Sequence, residues 1–436
     1  MAPTSEALQA LAASFLDRQE WFHLTVAGAL PGPSELVACD ILREGPPGLA
    51  RLVCHCSGRR YQLLFGWRPA TTAGAVLAGR ESFLAGSAED GGTHLLVYDA
   101  LADDELLIDL LELVTDSREH AERVRRLETL VSHASLVFDE RLFMKCYRVL
   151  EEGPRPEAEM MFRLDDAGFN ALLAPVARWR AHGYDLAVVR EFLPGALEGR
   201  LLALTSLRDL LAHADEVDDA GVDGDPERLE QEAAHAGGDL AAETRRLGAT
   251  TAGLHVALER AFDATAATPA ALAETLRQAG GAPLEEAAAR IAALEPGTLG
   301  KTIRLHGDYH LRRVMRAESG WLVAGFADDP LYAETHPGPS LAPRIGSPLE
   351  DLADMCFALE RVAAEALEQR PDEHGARAAG LAGAWERRNR SAFLAGYFAS
   401  PGVADLVPTR PGARDLLLEA FVAVRRVRYE ATPSAR

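Results

Sequence analysis

The amino-acid sequence predicts an α+β protein built from an N-terminal α+β module, a small β-rich lobe and a large helical lobe. Three observations carry that expectation. Short strand-like runs separated by Pro-Gly turns follow one opening helix in residues 1–115, a strand–turn–strand–helix–strand order occupies 129–195, and the long remainder is rich in Ala and Leu at helical spacing. With 436 residues the chain suffices for two or three lobes, each burying its own apolar interior.

The elements follow in order. The first sixteen residues have no basic n-region and soon turn charged at Asp17-Arg18-Gln19-Glu20, so they read as an amphipathic helix and not as a signal peptide. Strand-like runs are expected at 35–41, 49–56 and 60–64. From 95 to 115 the sequence is acidic and Leu-rich, and Leu106, Leu107, Leu110, Leu111 and Leu113 keep helical spacing, which predicts a helix closing the first module. A charged segment, 116–128, links onward into the small lobe, 116–195. There, strands are expected at 136–138, 141–145 and 186–192, with a helix carrying Glu159 before the last. In the large lobe, 196–436, the acidic stretch 215–225 reads as a solvated loop. Helices are expected at about 239–263 and 269–294, then a strand–loop–strand, then three helices ending near Arg428. No repeat of twenty to fifty residues is visible.

A formal charge of -21 and a pI near 5.1 argue against nucleic acid or an anionic membrane as partner, since either needs a strong local basic patch working against the global field. No apolar run approaches the roughly 18 residues that span a bilayer. Cys39, Cys54, Cys56, Cys146 and Cys356 form an odd, scattered set that suits reduced, buried thiols and hence the cytoplasm. Cys54 and Cys56 share one face of a strand, and zinc binding there is the alternative to ordinary packing; no second Cys or His pair at ligand spacing supports it.

The densest chemistry is His306-Gly307-Asp308-Tyr309-His310-Leu311, followed after the strand Trp321-Leu322-Val323-Ala324 by Gly325-Phe326-Ala327-Asp328-Asp329-Pro330. Phosphoryl transfer needs an acid to orient or deprotonate the acceptor hydroxyl, and oxygen ligands to hold magnesium between the phosphates. Asp308 can supply the first. Where a metal-binding acid is expected after the strand stands Gly325, which has nothing to coordinate with. A second reading has His306, Asp308 and His310 presenting three metal ligands of a hydrolase from an extended strand. Gly307 favours a loop.

Taken in order, these residues resemble the bacterial maltokinases, relatives of the aminoglycoside phosphotransferase branch of the protein-kinase-like fold that carry an N-terminal cap module. Arg18-Gln19-Glu20-Trp21-Phe22, Tyr61-Gln62-Leu63 and Val97-Tyr98-Asp99-Ala100-Leu101 are similar to cap phrases, and Ser132-His133-Ala134-Ser135-Leu136-Val137-Phe138 resembles the phosphate-loop hairpin. Arg141-Leu142-Phe143-Met144-Lys145 resembles the strand of the ATP lysine, Pro156-Glu157-Ala158-Glu159 the helix whose glutamate pairs with it, and Arg190-Glu191-Phe192 the hinge. Ser347-Pro348-Leu349-Glu350-Asp351-Leu352-Ala353-Asp354-Met355 resembles the segment after the metal loop.

The resemblance implies a bilobal kinase-like fold, ATP as nucleotide and a small sugar or amino sugar as acceptor. It makes Asp308 the base and Lys145 the phosphate-binding cation held forward by Glu159. Ser132 and Ser135 then offer donors to phosphate, and Glu191 and Phe192 meet adenine through backbone groups. The family's coordinating positions fall on Arg313, Gly325 and Ala327, so magnesium is not expected to be held in the usual way. Its loss removes several kcal/mol of transition-state stabilisation, roughly three decades of rate. Asp328 and Asp329 are candidate substitute ligands, against the alternative that both are solvated loop acids. The closing helix keeps only an RYEA-like end of the family's sugar-pocket phrases, and Arg425, Arg426 and Arg428 read as a basic helix terminus interacting with its own dipole. Two functions result: a pseudokinase that binds nucleotide, or an ATP-dependent sugar kinase working through Asp308 with Asp328 and Asp329.

Overall fold

The computed structural model describes residues 2–25, 35–127, 133–216, 226–235, 238–326, 344–370 and 375–431. They divide into two compact units, one formed by the described residues of 1–159 and 174–194, the other by those of 160–173, 195–326 and 344–431. The expected solvated loop beyond Glu216 and the residues Ser132, Ala327, Asp328 and Asp329 lie outside the described residues.

In the first unit, α1 (Ser5–Leu16) starts at Thr4, whose hydroxyl accepts from the Ala7 N–H, and it buries Leu8, Ala12, Phe15 and Leu16 along one face. After α2 (Glu20–Thr25) come five antiparallel strands, β1 (Glu35–Arg43), β2 (Gly48–Cys56), β3 (Arg59–Pro69), β4 (Leu84–Asp90) and β5 (Thr93–Asp99), in spatial order β1-β2-β3-β5-β4. A short α3 (Ala70–Leu77) connects β3 to β4. Alternation sorts the side chains: Leu52, Cys54, Leu63, Phe65 and Trp67 join the α1 core, whereas Leu49 and Leu64 join a second core on the opposite face. That second core is filled by α4 (Asp104–Val114), N-capped by Asp103, through Leu106, Leu107, Leu110 and Leu111.

The same core holds Leu136, Phe138, Leu142, Met144 and Val189 from a second antiparallel sheet. Its strands are β6 (Val124–Arg126), β7 (His133–Phe138), β8 (Leu142–Tyr147), β10 (Pro175–Ala181) and β11 (Tyr184–Glu191), ordered β10-β11-β8-β7-β6, while β9 (Val149–Leu150) pairs with β3 of the first sheet. Gln62 ties the two sheets together, its amide donating to the Tyr147 and Leu186 carbonyls at 2.9 and 3.0 Å. Two sequence expectations are corrected here. Residues 95–99 belong to β5 and not to the following helix, because Leu95 and Val97 alternate into the core and the acidic run begins only at Asp103. The stretch likened to a phosphate-loop hairpin is, from His133 to Phe138, one buried strand; the turn comes afterwards, where Asp139 and Glu140 take φ of 49° and 51°.

The chain passes through α5 (Pro156–Asp166) into the second unit, which is mainly helical. Its helices are α6 (Gly199–Glu216), α7 (Pro226–His235), α8 (Ala241–Ala261), α9 (Pro269–Ala279), α10 (Ala282–Ala292), α11 (Pro348–Glu368), α12 (Gly375–Phe398) and α13 (Pro411–Glu430). The single helix expected over 269–294 is split into α9 and α10 by Gly280-Gly281, both at positive φ. The helices α8 and α12 cross closely at Gly248, where a Cβ would stand 2.0 Å from the Phe393 carbonyl oxygen. Six short strands complete the unit: β12 (Leu197–Glu198), β13 (Thr265–Ala266), β14 (Lys301–Arg304), β15 (Val314–Ala317), β16 (Gly320–Val323) and β17 (Ile345–Gly346). They form sheets β12-β15-β16 and β13-β14-β17, so the loop from β14 to β15 starts in one sheet and ends in the other. Asp308 sits on that loop.

Candidate functional site

A buried carboxylate holds the loop in place. The helix α11 begins with a capping box in which Ser347 and Glu350 bond each other's backbone N–H, and this sets Asp351 in the first turn with no solvent exposure. Asp351 accepts from the His306 N–H at 2.9 Å, the Gly307 N–H at 3.2 Å and His255 Nε2 at 3.3 Å. Burial opposes its ionisation, but His255, His306 and Arg344 outweigh that and hold the carboxyl below its usual range. His255 in turn uses Nδ1 on the Tyr397 hydroxyl at 2.9 Å. The Arg344 guanidinium donates to the Gly307 carbonyl at 3.1 Å and to Glu350 at 2.7 Å, and the Tyr309 hydroxyl meets Thr251 at 2.8 Å.

His306 is spent on architecture. Its Nδ1 accepts from the Asp308 N–H at 3.4 Å and its Nε2 meets the Ala324 carbonyl at 3.3 Å, joining the loop to the chain after β16. Burial lowers its pKa to about 4, so the ring is neutral at physiological pH. With both nitrogens used, His306 is no metal ligand, and the three-ligand hydrolase reading fails on geometry. Among the described residues no cluster of three or more His, Cys, Asp or Glu is placed to hold a metal ion.

Asp308 carries the ion pair that defines this centre. Arg313 Nε and Nη2 both donate to its Oδ2, at 3.0 and 2.6 Å. On the other oxygen, His310 Nε2 lies 3.4 Å from Oδ1; because His310 Nδ1 accepts from the Arg312 N–H, Nε2 carries the proton and faces the carboxylate as a donor. Burial works against the charged form of Asp308, yet the His310 hydrogen bond and the Arg313 charge prevail and hold the carboxyl far below the usual carboxylate range. Such an acid stays ionised and is a weak base, with both oxygens already engaged. Gly325 lies beside Arg313: a Cβ there would fall 2.9 Å from Arg313 Nη1 and 3.0 Å from Cδ. The guanidinium therefore fills the space that a coordinating side chain at 325 would need. Beside Asp308 the described residues therefore offer a fixed positive charge at position 313 and no side-chain oxygen at position 325.

In the first unit, Lys145 Nζ meets Glu157 Oε2 at 2.5 Å. Glu157, to which the sequence reading gave no role, is a partner of Lys145; Glu159, named for that role by resemblance, lies in the first turn of the same helix. Ser135 is buried within β7 directly opposite Lys145, and its carbonyl accepts from the Leu127 N–H. At the expected hinge, the N–H of Glu191 donates to the Ala174 carbonyl and that of Phe192 to the Arg141 carbonyl, while the Glu191 carbonyl accepts from Arg190. These backbone groups are committed within their own unit.

Other side chains also found unexpected places. Arg425 pairs with Asp354, and Arg426 holds Glu360 at 2.7 Å, so both join α13 to α11 and do not merely decorate a helix end. Cys54 and Cys56 are buried in the α1 core, and burial with the neighbouring Cys39 and Cys56 pushes the Cys54 thiol up to about 12, which disfavours the thiolate that zinc requires. Asp351, His255 and Arg344 are the functional supports that sequence reasoning missed. The capping-box spelling Ser347-Pro348-Leu349-Glu350 marked the helix start, but nothing local showed that the next acid would reach a loop more than forty residues back.

Residues 15–103 match the family model of the maltokinase N-terminal cap domain. The whole chain is similar in fold to glucosamine kinase. A structure described as glucosamine kinase in complex with glucosamine, ADP and inorganic phosphate has 21% sequence identity and a TM-score of 0.63, over 100% of this chain and 96% of that one. A second, glucosamine kinase in crystal form B, has 22% identity and a TM-score of 0.64, over 99% and 96%. The fold is thus the kinase-like one expected, a β-rich small lobe and a helical large lobe preceded by a cap. None of the described helices is long and apolar enough to cross a membrane.

Proposed function

We propose that this chain is a maltokinase-like sugar-kinase homologue that binds nucleotide and has given up ordinary magnesium-dependent phosphoryl transfer. The observation that carries this reading is the Arg313 guanidinium, seated on Asp308 and over Gly325 where a kinase-like centre needs oxygen ligands. Nucleotide binding is supported by the Lys145–Glu157 pair and by the ADP in the structure of similar fold; that structure's glucosamine and the cap match support a sugar or amino sugar as the other ligand. Under this reading residues 1–115 are the cap, 116–195 the small lobe and 196–436 the large lobe, and the protein works in the cytoplasm.

The test is ATP affinity titrated in EDTA and again in magnesium, with ADP release followed in the presence of glucosamine or maltose. Affinity independent of magnesium, without sugar-stimulated ADP release, supports the proposal. The competing reading is an active kinase with Asp308 as base and Asp328 and Asp329 as substitute ligands. Steep magnesium dependence with sugar-stimulated turnover would establish it instead.

A further inference from the structure

Arg313 and Gly325 depart from the kinase-like pattern in the same place, and their geometry makes the two departures one. With Cβ positions of 2.9 and 3.0 Å from Arg313 Nη1 and Cδ, a side chain at 325 and the guanidinium cannot share this space without one of them moving. Gly325 also has φ +63°, where a residue with a side chain is strained. Two of the guanidinium nitrogens, Nε and Nη2, are turned to Asp308; the third, Nη1, is directed over Gly325 and has no hydrogen-bond acceptor among the described residues. The Arg313 side chain is 33% exposed, so an anion arriving from solvent can reach it.

We infer that Arg313 is a resident cation that receives phosphate oxygens of a nucleoside di- or triphosphate in place of a divalent ion, with position 325 emptied to seat it. The inference rests on the nucleotide-binding reading above and adds which group replaces the metal. A guanidinium is always charged and presents a planar fork that matches phosphate oxygens. Asp308 serves as its positioning counter-ion: the pair at Oδ2 holds the guanidinium in one orientation and leaves Nη1 outward. One such charge suffices to hold a phosphate but does not clamp both the attacking and leaving oxygens, as metal ions do. Binding without turnover is the consequence. A further consequence is that phosphate and a carboxylate introduced at 325 compete for the same nitrogen.

Calorimetric titration of ATP in EDTA, on the full chain, tests this with wild type, R313K, R313Q, G325D and R313Q/G325D, folding being checked by circular dichroism. R313Q is expected to weaken ATP at least about tenfold, the loss of one charge-assisted hydrogen bond, and R313K to fall between R313Q and wild type, because an ammonium keeps the charge but not the fork. G325D is expected to weaken ATP comparably, because its carboxylate takes Nη1. Manganese, followed by electron paramagnetic resonance, should bind only R313Q/G325D, in which the fixed cation is gone and an oxygen ligand is restored. ATP affinity of R313Q within about twofold of wild type overturns the inference and leaves the nucleotide-binding reading intact. If wild type binds no ATP with or without magnesium, that reading and the inference fall together. Manganese binding to wild type or to G325D alone overturns the coupling of the two positions.

Discussion

Replacing Asp351 by Asn keeps the shape of the side chain and removes the charge around which the Asp308 loop is folded. Asp351 accepts three hydrogen bonds, from the backbone of His306 and Gly307 and from His255 Nε2, at a position without solvent exposure. Asparagine offers one acceptor oxygen. If that oxygen keeps the two donors now on Oδ2, its amide faces the Gly307 N–H, leaving two buried donors opposed at about 1–3 kcal/mol each. The two retained bonds also fall from charged to neutral strength, about 1 kcal/mol apiece. Relief of carboxylate burial returns part of this, because desolvation opposes ionisation here. The net expectation is about 3 kcal/mol, or roughly 6 to 12 °C in the melting of a unit of this size. Urea unfolding of wild type and D351N gives the first number, and hydrogen exchange at the His306 and Gly307 amides locates it. A loss below about 1 kcal/mol, or unchanged protection at those two amides, refutes the claim that Asp351 anchors the loop.

Two further outcomes are expected. E157Q should weaken ATP by about fivefold, more than E159Q does, because Glu157 Oε2 lies on Lys145 Nζ; equilibrium titration of both variants decides, and the reverse order would give the larger role to Glu159. Stability should fall as pH drops from about 6.5, the unfolded histidine value, toward 4. Burial lowers His306 to about 4 and His133 to about 3, so within that window the unfolded chain binds protons that the native chain refuses. Their contribution is complete above the unfolded pKa and is lost as pH falls through the folded values, at up to about 1.4 kcal/mol per pH unit for each ring. Urea midpoints at pH 7 and pH 5 measure the slope; it should flatten in H133N and H306Q, and an equal slope in those variants sinks the assignment.

The sequence by itself determined part of the order of elements. Its alternating runs gave three cap strands, its 3.6-residue spacing gave α4, α8 and the last three helices, and its motif order pointed to a kinase-like chain with Asp308 at the centre. Strands β4 and β10 were not legible, since Gly86 and Ser87 in one, and Arg178 and Arg180 in the other, blur the apolar alternation that marks a strand. Composition also showed that an arginine and a glycine occupy positions 313 and 325. Whether that arginine would point to solvent, to phosphate or to Asp308 depends on long-range packing: Asp351 from α11 and Ala324 after β16 fix the backbone on either side, and only then does Arg313 lie within reach of Oδ2. Local periodicity carries information about neighbours along the chain. The meeting of Asp308, Arg313 and Gly325 was decided in the tertiary structure, where a buried carboxylate draws in donors that lie far apart in sequence.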